Sequence, residues 1–275
     1  MVRRLCPLTE KMKNMLWTLG VVAGFYLSLC AVAYLFQEKL IFFPEKLSRD
    51  YQFRFSTAFK EWQVKTSDGI TLHGLLFAAS GKSKGLIFYL HGNAGSSDSW
   101  GTIAEIYTRL NYDLFILDYR GFGKSGGRIT SESQFYADVQ TVFAEFKSVY
   151  TAENIIIIAF SIGTAAASML AANNHPKMLI LQAPYYSLTD LTKRMYPFLP
   201  GFALKYKFKT HEFIPRITAP IVIFHGDRDE VIYYGSSLKL LPLLKPADKL
   251  ITLKTQVHNG INENPEYIHA LQKMI

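Results

Sequence analysis

A serine stands between a strand-like run and a run of small residues, an arrangement suited to nucleophilic catalysis. Residues 155–160 read IIIIAF, and Ser161, Ile162 and Gly163 follow. A reactive serine on a sharp strand-to-helix turn needs small residues two positions before and after it, because larger ones would collide with neighbouring backbone. Ala159 and Gly163 occupy those positions. The pattern therefore predicts a serine nucleophile at the end of a strand.

A serine is a weak nucleophile at neutral pH, so it needs a histidine to take its proton and a carboxylate to orient that histidine. Two later strand-like runs end in suitable groups, the first in HGDRDEV and the second in VHN. Because the carboxyl ends of parallel strands meet at one edge of a sheet, we expect Asp229 and His258 to lie near Ser161. Asp227 lies in the same loop and is an alternative to Asp229.

A glycine-rich turn, HGNAG, follows the strand-like run 86–90. Backbone amides in such a turn can hold the oxyanion that forms when a serine attacks a carbonyl group. The predicted donors are the amides of Asn93 and Ile162. A second loop, DYRGFGKSGG from Asp118, contains G-x-G without the rest of a dinucleotide fingerprint. No nucleotide cofactor is therefore indicated.

Charge and metal-ligand spacing exclude other classes of protein. No histidine pair has metal-ligand spacing and no C-x-x-C occurs, so neither a metal nor a cofactor is expected. Of the formal net charge of +8, the residues ahead of the first apolar stretch supply +3 (four Lys/Arg against one Glu). The other basic residues are dispersed and carry no zinc-finger or RNA-binding signature, which argues against nucleic acid and favours a membrane surface.

The elements that must position these residues alternate between strand and helix after residue 60. This alternation predicts an α/β fold with a mostly parallel central sheet flanked by helices, entered through a hairpin at 67–69. The interval 184–212 interrupts the alternation with many aromatic and basic residues, and is predicted to be a small cap-like insertion over the site. The predicted helices are 98–110, 131–149, 162–173, 233–241 and 263–274.

The amino-terminal part of the chain has the composition of a membrane anchor. Residues 15–36 contain no charge, and 22 residues at 1.5 Å each make a helix of about 33 Å, enough to cross a ~30 Å hydrocarbon core. We expect a basic flank at 1–14, a transmembrane signal-anchor helix at 15–36 and a catalytic domain at 37–275. The flank's positive charge predicts that this domain lies on the non-cytoplasmic side.

A cleavable signal peptide is the alternative interpretation of the amino-terminal segment. Ala31-Val32-Ala33 has the small-x-small form of a cleavage site. The apolar run is, however, longer than the ~7–15 residues typical of a signal peptide and continues beyond that site. A retained helix is therefore the favoured prediction.

Five segments together resemble the α/β-hydrolase superfamily, and specifically its membrane-anchored serine hydrolases of the Bem46 type. They are YLHGNAGS, DYRGFGKSGG, AFSIGTAAA, HGDRDEVI and VHN, and the resemblance covers about residues 38–275. The order serine, acid, histidine along the chain is that of the superfamily. The resemblance implies an α/β-hydrolase fold with a small cap. It also implies the nucleophile Ser161, the general base His258, the orienting acid Asp229, and the oxyanion donors Asn93 and Ile162.

The expected activity is cleavage of an acyl ester or thioester through an acyl-enzyme, on a small or lipid-like substrate at a membrane. A serine aminopeptidase-like peptidase is an alternative, ranked lower because a free amine requires an acidic pocket and the insertion carries only Asp190 and Glu212. A non-catalytic, membrane-tethered binding protein is a third possibility. It is disfavoured because the serine, acid, histidine and flanking small residues are all present.

Overall fold

Buried β-branched and aromatic runs form the central sheet of the molecule, which a computed structural model describes over residues 9–275. Arg3 and Arg4 of the predicted basic flank, and Cys6, lie outside the described residues. The strands are β1 (Phe43–Pro44), β2 (Phe59–Lys65), β3 (Thr71–Phe77), β4 (Leu86–Leu90), β5 (Ala94–Gly95), β6 (Asp113–Asp118), β7 (Ile155–Phe160), β8 (Met178–Gln182), β9 (Ile221–Gly226) and β10 (Lys249–Leu253).

Eight of these strands make one sheet in the order β10-β9-β8-β7-β4-β6-β3-β2. In this order, all neighbouring strands from β10 to β6 run parallel. The hairpin of β2 and β3 is antiparallel and pairs with β6 through β3, also antiparallel. The register sets Leu90 beside Ala159 and Phe160 beside Gln182. The predicted mostly parallel α/β architecture is thus confirmed, and the loops after β4, β7, β9 and β10 emerge at one edge.

Helices cover both faces of the sheet. In α5, the phenylalanines and valines spaced three and four residues apart are buried against one face, as an amphipathic helix requires. The helices are α1 (Glu10–Leu35), α2 (Gln37–Ile41), α3 (Ser97–Trp100), α4 (Ala104–Thr108), α5 (Glu132–Lys147), α6 (Gly163–Asn174), α7 (Leu188–Met195), α8 (Thr210–Phe213), α9 (Gly235–Leu240) and α10 (Pro265–Met274).

The structure differs from the predicted helices at several boundaries. The predicted helix 98–110 is split into α3, the 3-10 turn Gly101–Ile103 and α4. Helix α10 begins only at Pro265, because the Asn264 side chain caps it by accepting from Glu266 N at 2.8 Å. Helix α1 begins at Glu10, five residues ahead of the apolar run, because the Thr9 side chain accepts from Met12 N at 3.4 Å. Part of the basic flank is therefore helical.

Helix α1 is long and apolar enough to cross a membrane, and nearly all of its side chains are exposed. Its carboxyl-terminal half and the start of α2 nevertheless touch the domain. The Tyr26 hydroxyl donates to Phe198 O at 2.8 Å, and the Gln37 side chain donates to Ala203 O at 3.0 Å while accepting from Lys205 N at 2.8 Å. These partners belong to the interval 184–212, which contains α7, the 3-10 turn Gly201–Ala203 and part of α8.

Candidate active site

Ser161 occupies a sharp turn between β7 and α6. Its φ is +51°, a left-handed conformation that is uncommon for a residue with a side chain and that recurs at active sites. Its amide donates to Gln182 O at 3.0 Å on the neighbouring strand. A Cβ at Gly163 would lie 2.6 Å from Leu90 O and 2.9 Å from His91 O, which gives the physical reason for a glycine two residues after the serine.

The three residues that the sequence predicts to act together form one hydrogen-bonded chain. His258 Nε2 lies 3.1 Å from Ser161 Oγ, and His258 Nδ1 lies 2.7 Å from Asp229 Oδ2. All three side chains are buried. Since the carboxylate can only accept, Nδ1 donates to it, and Nε2 is left free to accept a proton from the serine.

The two aspartates of the loop after β9 have different partners. Asp229 Oδ1 accepts from the amides of Val231 at 2.9 Å and Ile232 at 2.7 Å, which fixes the carboxylate beside His258. Asp227 instead accepts from Thr255 N at 2.7 Å and lies 3.5 Å from Lys254 Nζ. Asp227, which the sequence left as an alternative, is thus directed to the loop after β10 and not to the histidine.

A second histidine, His225, touches Asp229, and no sequence signal predicts this contact beyond its place before a glycine. His225 is fully buried, with Nε2 2.7 Å from Ile232 O and 3.3 Å from Asp229 Oδ2. Because a carbonyl can only accept, Nε2 carries a proton, and Nδ1 faces the Ser237 hydroxyl at 2.7 Å. His225 therefore positions both Asp229 and the turn that donates to it.

Hydrogen bonding keeps Asp229 ionised despite its burial. Burial alone would raise the pKa of this carboxyl, but hydrogen bonds from His225 and His258 and from the Ile232 amide outweigh it and lower the pKa to about 2. A permanently charged acceptor stabilises the imidazolium that forms when His258 takes a proton.

Asn93 and Ile162, the predicted oxyanion donors, line the same cavity as Ser161. Among the described residues neither amide donates to a backbone or side-chain acceptor, so both N–H groups are available to a substrate. The Asn93 turn is fixed from the amino-terminal side. Its carbonyl accepts from Phe43 N at 2.8 Å, and its side chain donates to Ile41 O at 3.1 Å.

The cavity has a volume of about 520 Å³, within the range usual for small-molecule sites. Apart from the groups around Ser161, its walls are mainly apolar. They come from two sources, the insertion 184–212 and the segment α1–α2. No carboxylate is among the described residues that line it. The principal apolar lining side chains are Leu191, Met195, Phe198 and Leu204 of the insertion, and Leu29 and Leu40 of the amino-terminal segment.

Arg120 and His91, two other polar residues near this edge, are engaged in the scaffold. Arg120 donates to both carboxylate oxygens of Asp138 at 2.7 Å and to those of Asp68 at 2.7 and 3.0 Å, so its guanidinium is committed to bracing loops. His91 is buried against Trp100 and Tyr119, and burial lowers its pKa. Within residues 9–275, no group of three or more potential metal-ligating side chains is clustered.

Comparison with known proteins finds similarity to one family model and to several α/β-hydrolase proteins. Residues 81–212 match the family described as serine aminopeptidase, S33. The chain is 28% identical over 240 residues to the human α/β-hydrolase domain-containing protein 17B, covering 84% of this chain and 80% of that protein. It is also 28% identical over 241 residues to the 17C protein of Xenopus tropicalis, covering 84% of this chain and 74% of that protein.

Solved structures show the same fold. An esterase of Pyrococcus furiosus superposes with a TM-score of 0.68 at 18% identity, over 85% of this chain and 96% of that one. The protein Est1E of Butyrivibrio proteoclasticus, bound to ferulic acid, superposes with a TM-score of 0.63 at 18% identity, over 77% of this chain and 95% of that one. With the sheet order and the strand-to-helix serine turn, these matches show that the chain has the α/β-hydrolase fold and is similar to hydrolases of that superfamily.

Proposed function

We propose that the protein is a membrane-anchored serine hydrolase that cleaves acyl esters or thioesters through an acyl-enzyme intermediate. The observation that carries this proposal is the chain of contacts from Ser161 Oγ to His258 Nε2 at 3.1 Å and from His258 Nδ1 to Asp229 Oδ2 at 2.7 Å, inside an apolar cavity. The esterase activity named for the solved Pyrococcus furiosus protein supports it.

In the proposed reaction, Ser161 Oγ attacks the acyl carbonyl carbon while His258 Nε2 takes the hydroxyl proton. The amides of Asn93 and Ile162 hold the oxyanion of the tetrahedral intermediate. When the intermediate collapses, the imidazolium gives its proton to the departing alcohol or thiol, and the acyl group stays on Ser161. Water, deprotonated by the same imidazole, then releases the acid and regenerates the serine. Asp229 stays ionised throughout.

The test is hydrolysis of p-nitrophenyl esters by the full chain in detergent, with Ser161→Ala and the exposed control Ser133→Ala alongside. We expect Ser161→Ala to lose at least ~10⁴-fold in kcat/KM and Ser133→Ala to match the wild type. Equal rates in the wild type and Ser161→Ala would contradict the proposal.

Peptide-bond cleavage is a second candidate, favoured by the family description that residues 81–212 match. A peptidase that recognises a free amino terminus needs a negative group near the site, and the described cavity lining contains no carboxylate. Asp190 is instead bonded to Tyr233 and Lys239, and Glu212 to Lys209. We therefore expect aminoacyl p-nitroanilides to be cleaved far more slowly than acyl esters, and the reverse ranking would favour the peptidase.

We also propose that residues 15–36 act as a transmembrane signal anchor following the basic flank 1–14, with the domain 37–275 on the non-cytoplasmic side and 184–212 as its cap. The contacts of Tyr26 and Gln37 with the insertion support retention of the helix, because cleavage after Ala33 would remove the first of them. Protease added outside sealed, right-side-out vesicles should digest the domain. Full protection would contradict this orientation.

A further inference from the structure

The amino-terminal helix shares a cavity with the nucleophile. Leu29 and Ala33 of α1 and Leu40 of α2 line the same 520 Å³ space as Ser161. Much of the remaining apolar lining comes from α7 and the turn after it. A helix that served only to tether the domain would have no reason to form part of the catalytic cavity.

The mouth of this cavity is apolar. Lining side chains that remain exposed mark where the cavity meets its surroundings, and the largest of these are hydrophobic: Leu40 is 64% exposed, Phe198 59% and Met195 51%. Phe202, two residues before the lining residue Leu204, is 79% exposed. An apolar patch of this kind on an aqueous surface is unfavourable, whereas the same patch in hydrocarbon is stabilised.

The exposed lining residues Leu40, Met195 and Phe198 form the rim of the cavity. The position of this rim along α1 indicates whether it lies in water or in hydrocarbon. Phe198 accepts a hydrogen bond from Tyr26, which lies ten residues, or about 15 Å of helix, before the end of the apolar run at Phe36. The tip of the insertion therefore lies beside a part of α1 that must be in hydrocarbon if α1 spans the membrane. The nearby Arg194 does not oppose this, since its guanidinium lies 4.2 Å from the Tyr233 ring, back towards the domain.

We infer that the catalytic cavity opens into the hydrocarbon layer and that α1 is the wall against which the substrate's acyl chain lies. The substrate class is a long-chain acyl ester or thioester already resident in the leaflet, which reaches Ser161 laterally between α1 and α7. Ala33 sets the width of this passage, because its small side chain leaves the space that the acyl chain occupies. This inference rests on the proposed function and deepens it.

The first experiment compares two alanines of α1 in the full chain. Ala33 lines the cavity, whereas Ala31 is exposed and does not. Because two residues turn a helix by about 200°, the same substitution at the two positions fills opposite sides. Ala33→Phe should lower the ratio of sixteen-carbon to four-carbon p-nitrophenyl ester hydrolysis by about tenfold, the effect of leaving about two methylenes unburied. Ala31→Phe should leave this ratio unchanged.

The outcomes separate the inference from the function on which it rests. If Ala33→Phe and Ala31→Phe both keep the wild-type ratio while Ser161→Ala is inactive, the proposed function stands and the inference is overturned. If the wild type hydrolyses neither ester faster than Ser161→Ala, the proposed function itself fails and the inference fails with it.

A second experiment does not depend on activity. Phe198→Trp is made in a Trp17→Phe background and the protein is reconstituted in phosphatidylcholine vesicles, with the Trp17→Phe parent supplying the signal of the remaining tryptophans. We expect the introduced fluorophore to be quenched by lipids brominated along the acyl chain and not by aqueous iodide. Quenching by iodide alone would place the rim in water and overturn the inference.

Discussion

Two regions enclose the cavity: the sheet edge that carries Ser161, and the apolar wall formed by α1 and the insertion. They differ in the contacts that hold their residues in place. At the sheet edge, position is fixed by short polar contacts: Asp229 accepts from two amides and lies within 3.3 Å of two imidazoles. On the apolar wall, a few hydrogen bonds hold the amino-terminal segment to the insertion, and the shapes of apolar side chains define the surface of the cavity. In the proposed function, the sheet edge carries out the chemistry, which tolerates little displacement, and the apolar wall selects the substrate, which tolerates more.

The largest effect is expected from the base. His258→Gln removes the proton acceptor of Ser161 and should lower kcat at least ~10⁴-fold, without a comparable loss of stability. The matched control is His269→Gln, an exposed position on α10. Ester hydrolysis and thermal unfolding of both variants check this. A kcat of His258→Gln within tenfold of the wild-type value would contradict the distinction between the sheet edge and the apolar wall.

The two aspartates of the loop after β9 sharpen the comparison within the sheet edge. Asp229→Asn keeps the shape but removes the charge that holds the histidine tautomer, so kcat should fall by about 10⁴-fold. Asp227→Asn should leave kcat near the wild-type value and cost about 1 kcal/mol of stability through its bond to Thr255 N. Steady-state kinetics of the two variants check this. A larger loss of kcat in Asp227→Asn than in Asp229→Asn would refute the assignment of Asp229 as the orienting acid.

Gly163 tests whether steric fit at the serine turn matters as much as its hydrogen bonds. Gly163→Ala would place a methyl group 2.6 Å from Leu90 O, so the turn must shift. We expect a loss of about 1–3 kcal/mol in stability and a lower kcat, because the Ile162 amide moves with the turn. Gly24→Ala, where a Cβ would meet nothing within 4 Å, is the control on α1. Identical unfolding midpoints in the two variants would argue against a strained turn.

The smallest effect is a pH dependence of stability. The pKa of Asp229 is about 2 in the folded chain and near the ordinary 3.8 in the unfolded chain. The unfolded chain therefore binds more protons between pH 4 and pH 2, so the folded state loses about 2 kcal/mol as the pH falls through that window. Asp229→Asn has no titratable carboxyl at this position and therefore lacks this pH-dependent loss. Its unfolding midpoint should therefore fall less than that of the wild type below pH 4, and parallel curves would contradict the role of the ionised carboxylate.

The polar residues of the sheet edge could be predicted from sequence because their requirements are local. A β-branched strand, a serine and the pair Ala159 and Gly163 define the turn within nine residues, and parallel strands bring later loop residues to the same edge. Asp229 and Asp227 could not be separated in this way. Their difference depends on which backbone amides point at each carboxylate, and that follows from the fold of the loop.

The insertion was predicted to lie over the site, but the part of the apolar wall formed by α1 was not, because it depends on contacts between segments far apart in the chain. Residues 15–36 have the composition of a membrane helix on every face, so nothing in the pattern distinguishes Ala33 from Ala31. The contact of Tyr26 with Phe198 joins residues 172 positions apart. Likewise, the role of His225 beside Asp229 has no signature beyond a histidine before a glycine.

The central claim is that Ser161 is a nucleophile activated by His258. The most direct test is to treat the full chain in detergent with a fluorophosphonate and identify the modified peptide by mass spectrometry. We expect one phosphonate on Ser161, lost in Ser161→Ala and formed much more slowly in His258→Gln. Modification that persists in Ser161→Ala, or labelling of His258→Gln at the wild-type rate, would contradict it.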